Sequence, residues 1–196
     1  MAVGKSYFAE RFAREHPEFT RVSIDQCRIQ AGQDLNLTDQ DDRMLALDVE
    51  EEAWLQVRRS CLDNENVILE SSGLSWRLKG ILWESDIITR GVYSVKLMGS
   101  YDKCLQRLKE RKTSQEVPFP FSLDEEESCK WLFDNMHRVP HNLLVDVDSG
   151  QDYGIMFNEA VRFILAAKLK YDADFVSLGK NELIKKRGEE MSNTKV

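Results

Sequence analysis

A glycine, a lysine and a serine stand together near the start of the chain, at Gly4, Lys5 and Ser6, directly before a helical pattern. Backbone N–H groups at the start of a helix point outward and attract phosphate. A lysine placed there contacts the terminal phosphates of a nucleotide, and a serine hydroxyl is a suitable oxygen ligand for Mg²⁺. The tripeptide therefore indicates a phosphate-binding helix start. A chance sequence that merely begins a helix is the alternative.

Short apolar runs alternate with helical patterns along the chain. Such alternation predicts an α/β fold, in which a parallel sheet is covered by helices on both faces. Residues 1–170 are expected to form this domain, and residues 171–196 a polar helix fragment and tail. The predicted strands are residues 20–25, 67–69, 91–98 and 142–147. The predicted helices are residues 4–16, 38–61, 100–112, 122–136 and 152–170. Thr38, Ser100 and Ser122 are the expected N-caps of the second, third and fourth of these helices.

Ligands of parallel sheets bind at the carboxyl ends of the strands. The functional residues are therefore expected just after the short apolar runs. The positions that meet this condition are Asp25, Glu70, Ser100 and Asp148.

The composition argues against several classes of protein, namely those that bind nucleic acid broadly, hold zinc through cysteines, are secreted or span a membrane. The net charge of -7 argues against broad, non-specific binding to nucleic acid, which needs a basic surface. The four cysteines form no CxxC pair and match no zinc-site spacing. The sequence contains neither a signal-peptide pattern nor an apolar run long enough to span a membrane. These features predict a cytoplasmic protein with reduced thiols and no membrane partner.

The order of these segments resembles the P-loop kinase superfamily. Within it, the sequence is similar to phage-type polynucleotide kinases and to small nucleotide-kinase-like ATP-binding proteins of the AAA type. It rests on Gly4-Lys5-Ser6 followed by a helix, on residues 23–28, on residues 67–74, and on residues 99–111, which resemble the strand and lid helix of nucleotide and shikimate-type kinases. It extends over residues 4–170 and implies ATP and Mg²⁺ as cofactors, with an acceptor that carries a hydroxyl group.

The resemblance implies a role for each candidate in the first half of the chain. Gly4, Lys5 and Ser6 would bind ATP, with Lys5 acting on the transferred group and Ser6 holding Mg²⁺. Asp25 would accept the proton of the attacking hydroxyl; a helix cap is its alternative role. Arg28 would bind a phosphate of the acceptor, such as a nucleic-acid end, and a surface ion pair is the alternative.

Glu70 and two arginines complete the implied site. Glu70 stands where aspartate is more usual in these kinases. It would bind the substrate, hold Mg²⁺ through water or act as the base instead of Asp25, and a solvated loop carboxylate is the alternative. Arg107 and Arg111 share a helix face. They would close over the nucleotide and neutralise charge on the transferring phosphoryl group. An exposed basic helix end would explain the same two residues.

The sequence departs from the family pattern at its beginning. The first glycine of the Walker A motif G-x-x-x-x-G-K-[ST], and the central strand before it, would precede Met1. Two functions therefore compete. The first is transfer of the γ-phosphoryl group of ATP to a hydroxyl of a nucleoside, nucleotide, polynucleotide end or small molecule. The second is a degenerate nucleotide-binding or interaction domain without turnover. A toxin-like kinase is a third, since Glu70 also suits that relative.

Overall fold

The computed structural model describes residues 3–34, 47–114 and 125–193. The described residues form helices and parallel strand pairs, so the predicted α/β class is confirmed. The prediction of a single parallel sheet was wrong for these residues, because their strands form two separate two-stranded sheets. The chain divides into two compact units. The first contains Met1–Ser72 and Ser100–Asp134, and the second contains Gly73–Gly99 and Asn135–Val196.

The first unit is built around a two-stranded parallel sheet. Thr20 pairs with Val67 at one end of this sheet, and Ser23 pairs with Glu70 at the other. Its elements are α1 (Lys5–Glu15), β1 (Thr20–Ser23), α2 (Ile24–Asp34), α3 (Leu47–Asp63), β2 (Val67–Glu70), α6 (Tyr101–Ser114) and α7 (Glu125–Asn135).

Helix α1 packs on this sheet through one apolar face. Phe8, Ala9 and Phe12 recur at helical spacing and are buried. The Phe12 ring meets the edge of the Phe19 ring in a T-shaped contact with a centroid distance of 5.0 Å. This packing fixes the direction of α1, and with it the place to which its first turn points.

Helices α6 and α7 share a small core of their own. Cys104 and Leu108 of α6 and Cys129 of α7 are buried together. Val3, the residue before Gly4, packs against this cluster. The segment that leads into α1 therefore lies against α6.

The second unit contains the other two-stranded parallel sheet, in which Val95 pairs with Leu143 and Met98 with Asp146. The elements of this unit are α4 (Trp76–Leu82), α5 (Ser85–Ile88), β3 (Val95–Met98), a 3₁₀ turn (Met136–Arg138), β4 (Leu143–Asp146), α8 (Tyr153–Ser177) and α9 (Lys180–Ser192).

Two glycines of this unit adopt a backbone conformation that other residues rarely take. Gly73 and Gly91 have φ angles of 78° and 87°, a region in which L residues are strained.

Several element boundaries differ from those predicted. Helix α2 begins directly at the end of β1, so Asp25 lies in the first helical turn and not at a strand end. Helix α8 continues past Lys170 to Ser177, and α9 occupies most of the expected polar tail. The predicted caps Thr38 and Ser122 lie outside the described residues.

None of the helices in the described part of the chain combines the length and apolar character that a membrane-spanning segment requires.

Candidate functional site

The first turn of α1 presents backbone donors to the solvent. Gly4 precedes the helix with a φ of 91°, and no atom lies within 4 Å of the place where a Cβ would be. The first hydrogen bond of the helix runs from the Phe8 N–H to the Gly4 carbonyl oxygen. The N–H groups of Lys5 and Ser6 therefore precede the helical ladder and remain available to an anion.

The Ser6 side chain connects this turn to the end of strand β2. Its hydroxyl Oγ donates a hydrogen bond to Oε1 of Glu70. Glu70 is the last residue of β2, and its side chain is only 7% exposed. Two residues that the sequence predicted as site residues, separated by 64 positions, are thus in direct contact.

The second oxygen of Glu70 is bound by an arginine that the sequence did not single out. Nη2 of Arg21 donates to Oε2 of Glu70 at 3.0 Å. Nη1 of Arg21 also lies 3.1 Å from Oε1 of Glu10, on the exposed side of α1. The Glu70 carboxylate therefore contacts a hydroxyl group through one oxygen and a guanidinium through the other.

A separate ion-pair network surrounds Asp25. Nη1 of Arg28 lies 3.0 Å from Oδ1 of Asp25. The same guanidinium binds Glu50 of α3 in a two-point contact, with Nε–Oε2 at 2.7 Å and Nη2–Oε1 at 2.9 Å. The indole N–H of Trp54 donates to Oε1 of Glu50 at 2.7 Å. Arg28 is thereby held in place by two carboxylates.

This network stabilises the positive charge of Arg28. Burial opposes the charge, but hydrogen bonds and the negative charges of Glu50 and Asp25 outweigh it and raise the pKa of the guanidinium. Two carboxylates and one guanidinium give this part of the unit a formal net charge of about -1. Arg28 is thus ion-paired with both Asp25 and Glu50.

The predicted lid arginines lie on α6. Arg107 is exposed. The side chain of Arg111 lies outside the described side chains. The helix that carries them packs through Cys104 and Leu108 against Val3, next to the turn that precedes α1.

The contacts divide the predicted residues into two groups at the carboxyl end of one sheet. Ser6 and Glu70 form the first group and Asp25 and Arg28 the second. Ser23, which precedes Asp25 closely in the chain, is the register partner of Glu70. Arg21 and Glu50 could not be singled out from the sequence, since a charged residue in a strand and a glutamate in an acidic helix are ordinary surface features.

The chemistry of Ser6 and Glu70 fits Mg²⁺. Mg²⁺ prefers oxygen ligands and usually binds proteins through one or two side chains, with water and substrate phosphates completing its shell. Among the described residues no group of three or more His, Cys, Asp or Glu side chains could hold a metal. The hydroxyl of Ser6 and the carboxylate of Glu70 offer oxygen ligands of the kind that Mg²⁺ takes.

Comparison of the chain with protein-family profiles, with curated proteins and with solved structures gave no match.

Proposed function

We propose that this chain is an ATP-dependent phosphotransferase that moves the γ-phosphoryl group to a hydroxyl acceptor. The observation that carries the proposal is the hydrogen bond from Ser6 to Glu70. It joins the start of the helix that follows Gly-Lys-Ser to the end of a buried parallel strand. A phosphate-binding loop and a Mg²⁺-orienting carboxylate need this contact, and a chance tripeptide does not.

The strand pairing gives independent support. The resemblance to P-loop kinases implies strands that pair in parallel. Among the described residues, β1 pairs with β2 and β3 pairs with β4, and both pairs are parallel.

Each residue has a definite task in the proposed reaction. Mg²⁺ would supply positive charge to the β- and γ-phosphates. Lys5 and the N–H groups of the first turn of α1 bind the phosphate oxygens, and Ser6 offers its hydroxyl oxygen to the cation. Glu70 accepts the Ser6 proton in a hydrogen bond and so directs the hydroxyl lone pairs away from itself.

Asp25 acts on the acceptor in the proposed reaction. The acceptor oxygen bonds to the γ-phosphorus as the bond to the ADP oxygen breaks, and Asp25 takes the hydroxyl proton. Arg28 positions this carboxylate, because Glu50 fixes the guanidinium from the other side. Arg107 and Arg111 on α6 would neutralise charge on the phosphoryl group.

A nucleotide-binding domain without turnover is the second candidate. Both oxygens of Glu70 already have partners, Ser6 and Arg21. A positively charged guanidinium beside the proposed Mg²⁺ position weakens cation binding. Binding and turnover must therefore be tested separately.

Thermal unfolding with and without Mg²⁺-ATP tests the binding step. A ligand at about 100 times its Kd adds about 2.7 kcal/mol to the free energy of unfolding, which gives a measurable shift. Wild type should shift and Lys5→Ala should not. Lys130→Ala is the matched control, since Lys130 is exposed on α7 and outside the site. No shift for wild type at millimolar ATP would contradict nucleotide binding, and a shift without transfer to any acceptor would favour the second candidate.

A further inference from the structure

The Arg21 side chain lies between two carboxylates of unequal exposure. Its partner Glu70, 3.0 Å away, is only 7% exposed, whereas its partner Glu10, 3.1 Å away, is 59% exposed. Arg21 itself is 26% exposed, and its Nε is buried without a hydrogen-bond partner among the described residues. The guanidinium thus has one inner and one outer acceptor and is not saturated by either.

Glu70 needs a positive partner because it is buried. A buried carboxylate without a compensating charge costs several kcal/mol, and Arg21 is the cation that contacts it. A divalent cation at Ser6 and Glu70 would supply that compensation instead. The cation and the guanidinium would then repel each other across one carboxylate. Glu10 gives the guanidinium another acceptor that it already contacts.

We propose that Arg21 is an exchangeable counter-ion of Glu70, which holds this carboxylate when no cation is bound and turns onto Glu10 when a divalent cation takes its place. The inference rests on the proposed function only in placing the cation at Ser6 and Glu70. It makes Arg21 a positioning residue that sets the affinity for the cation and does not touch the nucleotide.

Direct binding of Mn²⁺ alone tests the exchange. Free Mn²⁺ is measured by its electron paramagnetic resonance signal while the full chain is titrated without nucleotide. Arg21→Gln removes the competing charge and should tighten the Kd at least about fivefold, as expected for a unit charge at contact distance. Glu10→Gln removes the outer acceptor and should weaken the Kd about threefold, because the guanidinium then stays on Glu70.

The controls separate exchange from a structural role. Arg21→Lys keeps the charge and should remain near wild type. Arg11→Gln changes an arginine of α1 that pairs with Glu15 at 2.8 Å outside the site, and it should leave the Kd unchanged. Glu70→Gln should abolish binding. A merely structural role for Arg21 would make Arg21→Gln and Glu10→Gln weaken binding together.

The opposite signs of the two changes decide the proposal. The proposal would be overturned if both substitutions changed the Mn²⁺ Kd in the same direction or if neither changed it. It would also be overturned if neither wild type nor Arg21→Gln bound Mn²⁺. If Arg21→Gln fails to fold, Glu10→Gln carries the test alone, since Glu10 is exposed, and an unchanged or tighter Kd overturns the exchange. Failure of the proposed function appears elsewhere, as the absence of a thermal shift with Mg²⁺-ATP.

Discussion

Arg21 in the first unit and Arg187 in the second each contact two carboxylates, yet their surroundings differ. Arg187 is only 2% exposed; its Nη2 lies 2.9 Å from Oδ2 of Asp174 and its Nη1 2.7 Å from Oε2 of Glu190. Its guanidinium stands over the Tyr171 ring at 4.2 Å. Every one of these partners belongs to α8 or α9. The network therefore fastens one helix to the next.

The ion pair of Arg21 and Glu70 has a different neighbour. Glu70 also accepts a hydrogen bond from the hydroxyl of Ser6, which lies at the start of a helix whose first N–H groups have no helical partner. An arginine between two carboxylates therefore does not by itself mark a site. The Arg21 network differs from the Arg187 network by its position at the carboxyl end of a strand, beside the start of a helix.

The largest effect is expected from Arg187→Met. Loss of the guanidinium leaves Asp174 and Glu190 without their shared partner, and breaking a buried pair costs about 3 kcal/mol. Urea unfolding should show this loss. The matched control is Lys180→Met, which removes the exposed pair with Asp86 at 2.9 Å and should leave the urea midpoint close to that of wild type. Mn²⁺ binding should be unaffected in both variants; a changed Mn²⁺ Kd would contradict the division into a structural and a functional network.

Asp25→Asn is expected to affect turnover and leave binding intact. If Asp25 accepts the acceptor proton, its loss should lower the rate of phosphoryl transfer about 10²- to 10⁴-fold. The thermal shift with Mg²⁺-ATP should stay that of wild type, because Asp25 contacts Arg28 and belongs to the acceptor side. Asp34→Asn, at the other end of α2, is the control. Loss of the shift in a folded Asp25→Asn protein would contradict the assigned role.

Glu50→Gln tests the network behind Asp25. The substitution weakens the two-point contact that fixes Arg28 and removes one negative charge from the acceptor side. Transfer to an uncharged alcohol should fall about tenfold, whereas acceptors with a phosphate should gain relative to it, since Arg28 is released to bind phosphate. The ratio of kcat/KM for a nucleoside and its 3′-monophosphate measures the change. Glu51→Gln, the neighbouring exposed glutamate, is the control, and an unchanged ratio for Glu50→Gln would argue that Arg28 binds no acceptor.

The sequence was sufficient for the α/β class and for the choice of Ser6 and Glu70 as candidate site residues, but it did not predict the hydrogen bond between them. General rules led to both choices, because parallel strands align their carboxyl ends and a Gly-Lys-Ser tripeptide before a helix is typical of a phosphate-binding turn. Arg21 and Glu50 lacked such a rule. Arg21 lies within a strand. Glu50 is one of three consecutive glutamates, and only the folded helix shows which of them faces Arg28.

The failure to predict helix α2 from the sequence has a similar cause. It is mostly polar, and Ile24, Ala31 and Gly32 are its buried residues, so the sequence shows no apolar stripe there. Helix α9 lies where a polar helix fragment was expected, and its buried residues are Leu183 and Arg187. Local pattern was therefore reliable where one helix face is apolar and failed for α2, which contacts of the folded chain stabilise.

The smallest expected effect is the pH dependence of the Arg187 network. Hydrogen bonding from Lys186, together with Arg187, lowers the pKa of Asp174, although desolvation opposes it. Burial would raise the pKa of Glu190, but the hydrogen bonds from Lys170 and Arg187 outweigh it and lower the pKa. Carboxyls with a lowered folded-state pKa stabilise the fold above their unfolded pKa of about 4, and this stability is lost as pH falls through the folded value.

Thermal unfolding of wild type and Asp174→Asn between about pH 6 and pH 3 measures this contribution. Wild type should be the more stable protein near pH 6, and the difference should shrink as the pH falls below about 4, since the asparagine cannot titrate. The Mn²⁺ Kd at about pH 6 should be equal for the two proteins, because Asp174 lies in the second unit and Glu70 in the first. A stability difference that does not change with pH would mean that Asp174 acts by packing, and the Arg187 network would then owe little to its charges.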